Sequence, residues 1–214
     1  ISQYIGRKDN ENSGKSASQL LLASILFSVC VSVIILIFNI QILKLMFGRV
    51  ESGVMEACIT YLKISAYSYP ALAIYNAGAG LYRSLGKTST TMYISILANI
   101  INVVGNFIGV FLLNLGVAGV AWPSLISRTF SAVVITVLCF CGTNSVRYNK
   151  KWIFRLDTGL QKKILNIAVP NGVESGIFQL VKVALSSVVA LFGTYQIAAN
   201  GVAQSIWSMA SLVS

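Results

Sequence analysis

Residues 92–114 read MYISILANIINVVGNFIGVFLLN, without one charged side chain. A helix needs roughly 20 apolar residues to cross the hydrocarbon of a bilayer, and a barrel strand only about ten. This run is long enough for the first and far too long for the second, and its apolar residues are continuous rather than alternating. It reads as a transmembrane helix. Three asparagines inside it, Asn99, Asn102 and Asn106, follow i, i+3, i+7 and so share one stripe. An amide in hydrocarbon is costly unless it is hydrogen-bonded, so the stripe cannot face lipid. Two readings stay open: interhelical hydrogen bonds, each worth about 0.6–2 kcal/mol, or the lining of a hydrated cavity.

Working outward, five further runs have the same character, at approximately 18–38, 57–79, 117–141, 167–191 and 195–214. The fold class expected is all-α, a polytopic membrane helix bundle with six transmembrane helices. Composition agrees: of 214 residues, 56% are hydrophobic and 10% charged, whereas a soluble domain carries roughly a quarter charged residues. Mean hydropathy is +0.76. There is no histidine, which removes the commonest general base and metal ligand and leaves no basis for a membrane enzyme, a metal site or a cofactor. Cys30, Cys58, Cys139 and Cys141 all fall in apolar stretches and read as small buried apolar residues with reduced thiols. The net charge of +10 sits between the apolar runs without interleaved aromatics, so no nucleic-acid partner is expected; the partner is membrane lipid.

Alternate connections differ sharply in charge. The first, third and fifth hold Arg7, Lys8 and Lys15, then Arg83 and Lys87, then Arg147, Lys150, Lys151, Arg155, Lys162 and Lys163; the others hold only Lys44 and Arg49. By the positive-inside rule residues 1–17, the turn at Arg83 and the long link 142–166 are cytoplasmic. Residues 39–56 read as an amphipathic connection, and Asn114-Leu115-Gly116 and the region of Gly193-Thr194 as tight turns. The chain starts at Ile1 without a methionine and stops at Ser214 inside an apolar run; it reads as a segment cut from a longer protein.

Pro70 and Pro123 lie inside apolar runs and are expected to kink their helices, while Pro170 sits near the start of its run, where proline is tolerated. Gly86-Lys87-Thr88 resembles the end of a phosphate-binding loop, but the spacing requires glycine where Leu81 stands, so it reads as a basic turn. Glu174 is the one acid well inside an apolar run. Burying a carboxylate without a partner costs several kcal/mol, which makes it the leading candidate for binding a cation or substrate. Burial raises its pKa and a nearby cation lowers it, so it can alternate between protonated and ionised states. A structural pair with Lys182 is the alternative, although eight residues separate the two by about 12 Å of helix rise. Gln196, Asn200 and Gln204 form a second polar stripe among small residues. Lys63, Arg128 and Lys182 lie within helices and are not explained by the charge count.

Gln3-x-x-Gly6-Arg7-x-Asp9 before an apolar run resembles the first cytoplasmic loop of the multidrug and toxic compound extrusion family. Pro70 with Gly80-Leu81-Tyr82-Arg83-Ser84-Leu85-Gly86-Lys87-Thr88 is similar to that family's proline and its G-x-L-R-G-x-G-D-T stretch. Asn99, Asn102 and Asn106 followed by Gly116-Val117-Ala118-Gly119-Val120-Ala121 look like its fifth helix and the G-V-A-G-A-A start of its sixth. Pro170 to Gln179 and Gly193 to Ala203 resemble its seventh and eighth helices.

The resemblance covers essentially the whole chain and implies six helices of a twelve-helix, two-bundle transporter. Residues 1–141 would be helices 3 to 6 of the first bundle, 142–166 the cytoplasmic linker, and 167–214 the start of the second bundle, helices 7 and 8. It implies a monomeric multi-pass antiporter of the bacterial cytoplasmic membrane. Such a protein exports small amphipathic organic cations and drugs by alternating access, driven by Na⁺ or H⁺. Some members resemble this chain in carrying N-x-x-x-D on helix 5 and a hydroxyl on helix 6. Here Asn102 and Ser124 match, but Asn106 stands in the place of the acid, and an amide cannot titrate. Glu174 lies on the helix that carries a cation-linked acid in other members, with Na⁺ binding near it implied. Asn102, Asn106 and Ser124 would line the first bundle's chamber, and Lys182, Asn200 and Gln204 belong to the second group of candidates. A lipid-linked oligosaccharide flippase of the same superfamily is the alternative, and a non-transporting subunit a more distant one.

Overall fold

The structure, a computed structural model, describes residues 1–47, 52–141, 146, 148, 152, 157–190 and 199–206. In chain order the helices are α1 (Ser2–Gly6), α2 (Asn10–Phe47), α3 (Ser52–Ser84), α4 (Thr88–Phe107) with a π turn at Ile108–Leu112, α5 (Ala118–Cys141) and α6 (Thr158–Ala190), with a further helical stretch at 199–206. The described residues form no strands. The spans Asn10–Lys44, Thr88–Leu112 and Ala118–Phe140 are by themselves long and apolar enough to cross a membrane. The 33-residue α3 is longer still than the last two; Lys63 and a succession of tyrosines and serines make it less apolar.

Helices outrun the apolar runs at both ends. Asp9 starts α2 early, its Oδ1 accepting the backbone N–H of Asn12 at 3.1 Å and its Oδ2 the Asn12 side chain at 2.7 Å. This is the capping that aspartate supplies to the open N–H groups of a first turn. At the other end α2 continues through the expected connection at 39–56 as far as Phe47, since neither glycine nor proline intervenes before Gly48. The backbone departs from helical geometry at Phe38 (φ −101°, ψ 17°). α3 runs through Pro70 and α5 through Pro123 without ending.

The expectation for Pro170 needs correcting. It stands in the interior of α6, because that helix begins at Thr158 rather than near residue 167. Asp157 is the reason: its Oδ1 accepts the N–H of Leu160 at 3.1 Å, and its carbonyl accepts that of Gln161 at 2.9 Å. Polarity makes 158–166 look like a loop, whereas capping makes it helix. The remainder of the 142–166 link, apart from Val146, Tyr148, Trp152 and Asp157, lies outside the described residues, as does the turn near Gly193-Thr194.

Two compact units divide the chain. The first comprises Ile1–Leu43 and Val50–Ile164, the second Lys44–Arg49 and Leu165–Ser214. In the first, α5 packs against both α3 and α4, and glycines set how closely. A Cβ on Gly109 would fall 2.3 Å from the carbonyl oxygen of Gly119, and one on Gly105 2.6 Å from Cβ of Pro123. Small residues let helix backbones touch where lipid offers no hydrophobic drive to associate. The α4–α5 turn, as expected from Asn114-Leu115-Gly116, is tight, with Asn114 (φ 50°) and Gly116 (φ 55°) in the left-handed region. Both residue types tolerate that conformation.

The packed core gathers at one end of this unit, around Leu21, Leu81, Tyr82, Ile94, Ile135, Cys139, Val146 and Tyr148. The basic connections meet at the same end. Ser2 bonds Ser84 at 3.3 Å, Tyr148 N–H donates to the Cys139 carbonyl at 3.2 Å, and Lys15 pairs with Asp157 at 2.5 Å. Away from that end, large apolar side chains such as Ile37, Val103 and Phe107 are exposed. Cys139 is buried as expected, but Cys30 is exposed on α2, whose outward side is apolar. In the second unit the described side chains of α6, including Val169, Val173, Ile177 and Leu180, are largely exposed.

Candidate functional site

In the first unit a cavity of about 350 Å³ opens between α3, α4 and α5, bordered by Leu72, Tyr75, Ser95, Ala98, Asn99, Asn102, Ser124, Ser127, Arg128 and Ser131. Its polarity comes from one face of each helix. On α5, Ser124, Ser127, Arg128 and Ser131 recur at i, i+3, i+4, i+7, the spacing of a single helical stripe. On α4 the stripe is Asn99, Asn102 and Asn106.

The two stripes are joined. Asn102 Nδ2 donates to Ser124 Oγ at 3.0 Å and to Ser127 Oγ at 3.4 Å, while its Oδ1 accepts from Asn106 Nδ2 at 3.0 Å. The serine protons point elsewhere, each to a backbone carbonyl of its own helix: Ser124 to Val120, Ser127 to Ser124 and Ser131 to Ser127. The serine oxygens facing Asn102 therefore act as acceptors. Asn106 Oδ1 is buried and has no hydrogen-bond partner among the described residues. Of the asparagine stripe, Asn102 makes the interhelical hydrogen bonds, Asn99 and Asn102 border the cavity, and Asn106 does not border it.

Sequence reasoning noted Arg128 without giving it a role here and left out Ser68, Tyr75, Ser127 and Ser131. Arg128 reaches across to α3, donating from Nη1 to Ser68 Oγ at 2.6 Å, and Ser68 passes its own proton to the Ser65 carbonyl at 2.7 Å. Tyr75 borders the cavity with its hydroxyl against the Thr91 carbonyl (3.3 Å) and Ser95 Oγ (3.4 Å). The signal available was the i, i+3, i+4, i+7 serine and arginine stripe on α5. Among the described residues, no Asp or Glu borders the cavity.

The other candidates belong to the second unit. Glu174 and Lys182 are exposed along α6, four and twelve residues beyond Pro170, and make no ion pair among the described residues. Asn200 is half-buried and Gln204 exposed in the helical stretch 199–206; Gln196 lies outside the described residues.

A polar clamp occupies the packed end of the first unit. Gln19, fully buried on α2, donates from Nε2 to the Trp152 carbonyl at 2.6 Å. Its Oε1 accepts from the Asp157 N–H (3.2 Å) and from Gln161 Nε2 (2.9 Å). One turn earlier, Lys15 stands 4.3 Å over the Trp152 ring while pairing with Asp157. The Lys15 hydrogen bond, followed by the Leu160 N–H, holds the Asp157 carboxyl below its ordinary pKa.

The MatE family model matches residues 1–108. An uncharacterized transporter, YisQ of Bacillus subtilis, is 24% identical over 96% of this chain and 46% of its own length. The probable multidrug resistance protein YoeA of the same organism is 27% identical over 97% of this chain and 46% of its own. The chain thus spans about half the length of the curated relatives it matches. A solved inward-facing multidrug resistance MATE family transporter of the MOP superfamily superposes with a TM-score of 0.84 at 22% identity, over 99% of this chain and 47% of that one. Motifs, apolar spans and family match agree: the chain is a multi-pass protein of the bacterial cytoplasmic membrane and belongs to the MatE family of multidrug and toxic compound extrusion transporters.

Proposed function

We propose that the protein carrying this chain is an ion-coupled antiporter, driven by Na⁺ or H⁺, that exports small amphipathic organic cations by alternating access. The single observation that supports this reading best is the polar cavity in the first unit, bordered by Asn102 and Ser124, which bond to each other inside otherwise apolar helices while Asn106 bonds to Asn102 from outside the lining. Polar groups inside membrane helices are costly unless they serve a pathway or a partner. Residues 1–141 form part of the first bundle, 142–166 the cytoplasmic linker and 167–214 the start of the second bundle. Glu174 binds the coupling cation or proton, with Lys182, Asn200 and Gln204 on the same half. The protein is a monomer, needs no cofactor and makes or breaks no covalent bond in its substrate. Ion binding need bias inward-open against outward-open states by only a few kcal/mol.

One observation favours the second reading, a flippase for lipid-linked oligosaccharide: Arg128 places a positive charge at the cavity. Ethidium efflux decides between them. The complete protein is expressed as wild type and as Glu174→Gln, with Na⁺ and proton gradients imposed separately. Efflux that requires one gradient and collapses in the variant supports the antiporter. Wild type that moves no dye under either gradient overturns it, and a variant that pumps like wild type removes Glu174 from the site.

A further inference from the structure

Arg128 is the eleventh residue of the 24 in α5, near the middle of a membrane span. A guanidinium there is costly and calls for a partner. The partner present is neutral: Ser68 accepts one N–H and hands its own proton to the Ser65 carbonyl, which orients the guanidinium without balancing its charge. Asn102, Ser124 and Ser127 are engaged with one another or with backbone. The one described acid on the facing helix, Glu56, is twelve residues before Ser68, about 18 Å of helix rise away. A cavity inside the usual size range for small-molecule sites, also bordered by Tyr75, therefore holds a full positive charge with donors to spare.

We propose that Arg128 binds the carboxylate of the transported solute in the α3–α4–α5 cavity, so that the exporter takes amphipathic solutes bearing an anionic group alongside their positive one. A planar guanidinium matches a carboxylate with two parallel hydrogen bonds, which neither a serine nor an asparagine can replace. The inference rests on the efflux reading and narrows its substrate class. A carboxylate elsewhere in the same protein is the competing source of negative charge, and the two sources predict different results.

The test uses the complete protein and a matched pair of dyes, a rhodamine free acid and its methyl ester, which differ only in the carboxylate. With membrane levels of the protein measured, Arg128→Gln is expected to reduce efflux of the acid by about tenfold or more while leaving the ester within about twofold. Arg128→Lys keeps the charge but loses the paired geometry, so it raises KM for the acid and leaves kcat and the ester unchanged. Equal loss of both dyes at normal protein level assigns Arg128 to a carboxylate of the protein itself and overturns the proposal; so does loss of neither. Should Arg128→Gln fail to reach the membrane, a lysine variant without selective effect on the acid overturns it equally. Wild type that exports the ester and not the acid refutes this inference while leaving the efflux reading intact. If neither dye moves, the efflux reading fails, and the site is judged by fluorescence titration of the free acid into purified wild type and Arg128→Lys, equal affinities refuting it.

Discussion

Asn102 donates to Ser124 at 3.0 Å across the α4–α5 contact, and the same amide's oxygen holds Asn106 one turn further along α4. One side chain thus satisfies both its own helix and the next. Asn102→Leu removes three hydrogen bonds and strips Asn106 Nδ2 of its acceptor. The expected cost is about 1–2 kcal/mol in thermal unfolding of the detergent-solubilised protein. Asn99→Leu, at an exposed position without such bonds, is expected to change stability by less than about 0.5 kcal/mol.

Gly109 faces Gly119 so closely that a methyl group has nowhere to go, its Cβ falling 2.3 Å from a backbone oxygen. Gly109→Ala is expected to destabilise the α4–α5 hairpin by about 1–3 kcal/mol, since backbone cannot give way as a flexible side chain can. Gly80→Ala meets nothing within 4 Å on α3 and is expected to be neutral or to stabilise by up to about 1 kcal/mol through helix propensity. Melting temperatures of the two variants check the contrast.

The Lys15–Asp157 pair predicts an acid transition with a definite sign. Asp157 is held below its ordinary value of 3.8 by the Lys15 hydrogen bond and then the Leu160 N–H. A carboxyl depressed on folding contributes stability that is present above the ordinary value and lost as pH falls through the lowered one. Tryptophan emission from a Trp122→Phe, Trp207→Phe protein, which keeps Trp152 under Lys15, is expected to change below pH 3.8. Lys15→Met is expected to move that transition upward in pH, and an unmoved midpoint would count against the clamp.

Much of the architecture is legible in local sequence because solvent choice is a summed property. Stretches such as 92–114 and 117–141 are apolar on average, and lipid is the only medium that accepts them. Element boundaries were less legible: Asp9 and Asp157 start their helices in polar segments where hydropathy suggests connections, since a cap is one hydrogen bond and not an average. Pro170 was misjudged for that reason alone. The asparagine stripe on α4 was visible, but its partners were not. Whether Ser124 and Ser127 meet Asn102, and whether Arg128 meets Ser68 sixty residues away, depends on how far each helix is rotated about its own axis.

The amino-acid sequence by itself determined that this protein lives in a membrane, which apolar runs are helical, which connections are basic and which family its motifs resemble. Tertiary structure alone decided that Arg128 enters the cavity beside Asn102, that Gly109 and Gly119 bring two backbones into contact, and that Gln19 ties Trp152, Asp157 and Gln161 to α2. Periodicity and hydropathy are summed along the chain, whereas a hydrogen bond between distant residues exists only once packing has chosen which faces meet.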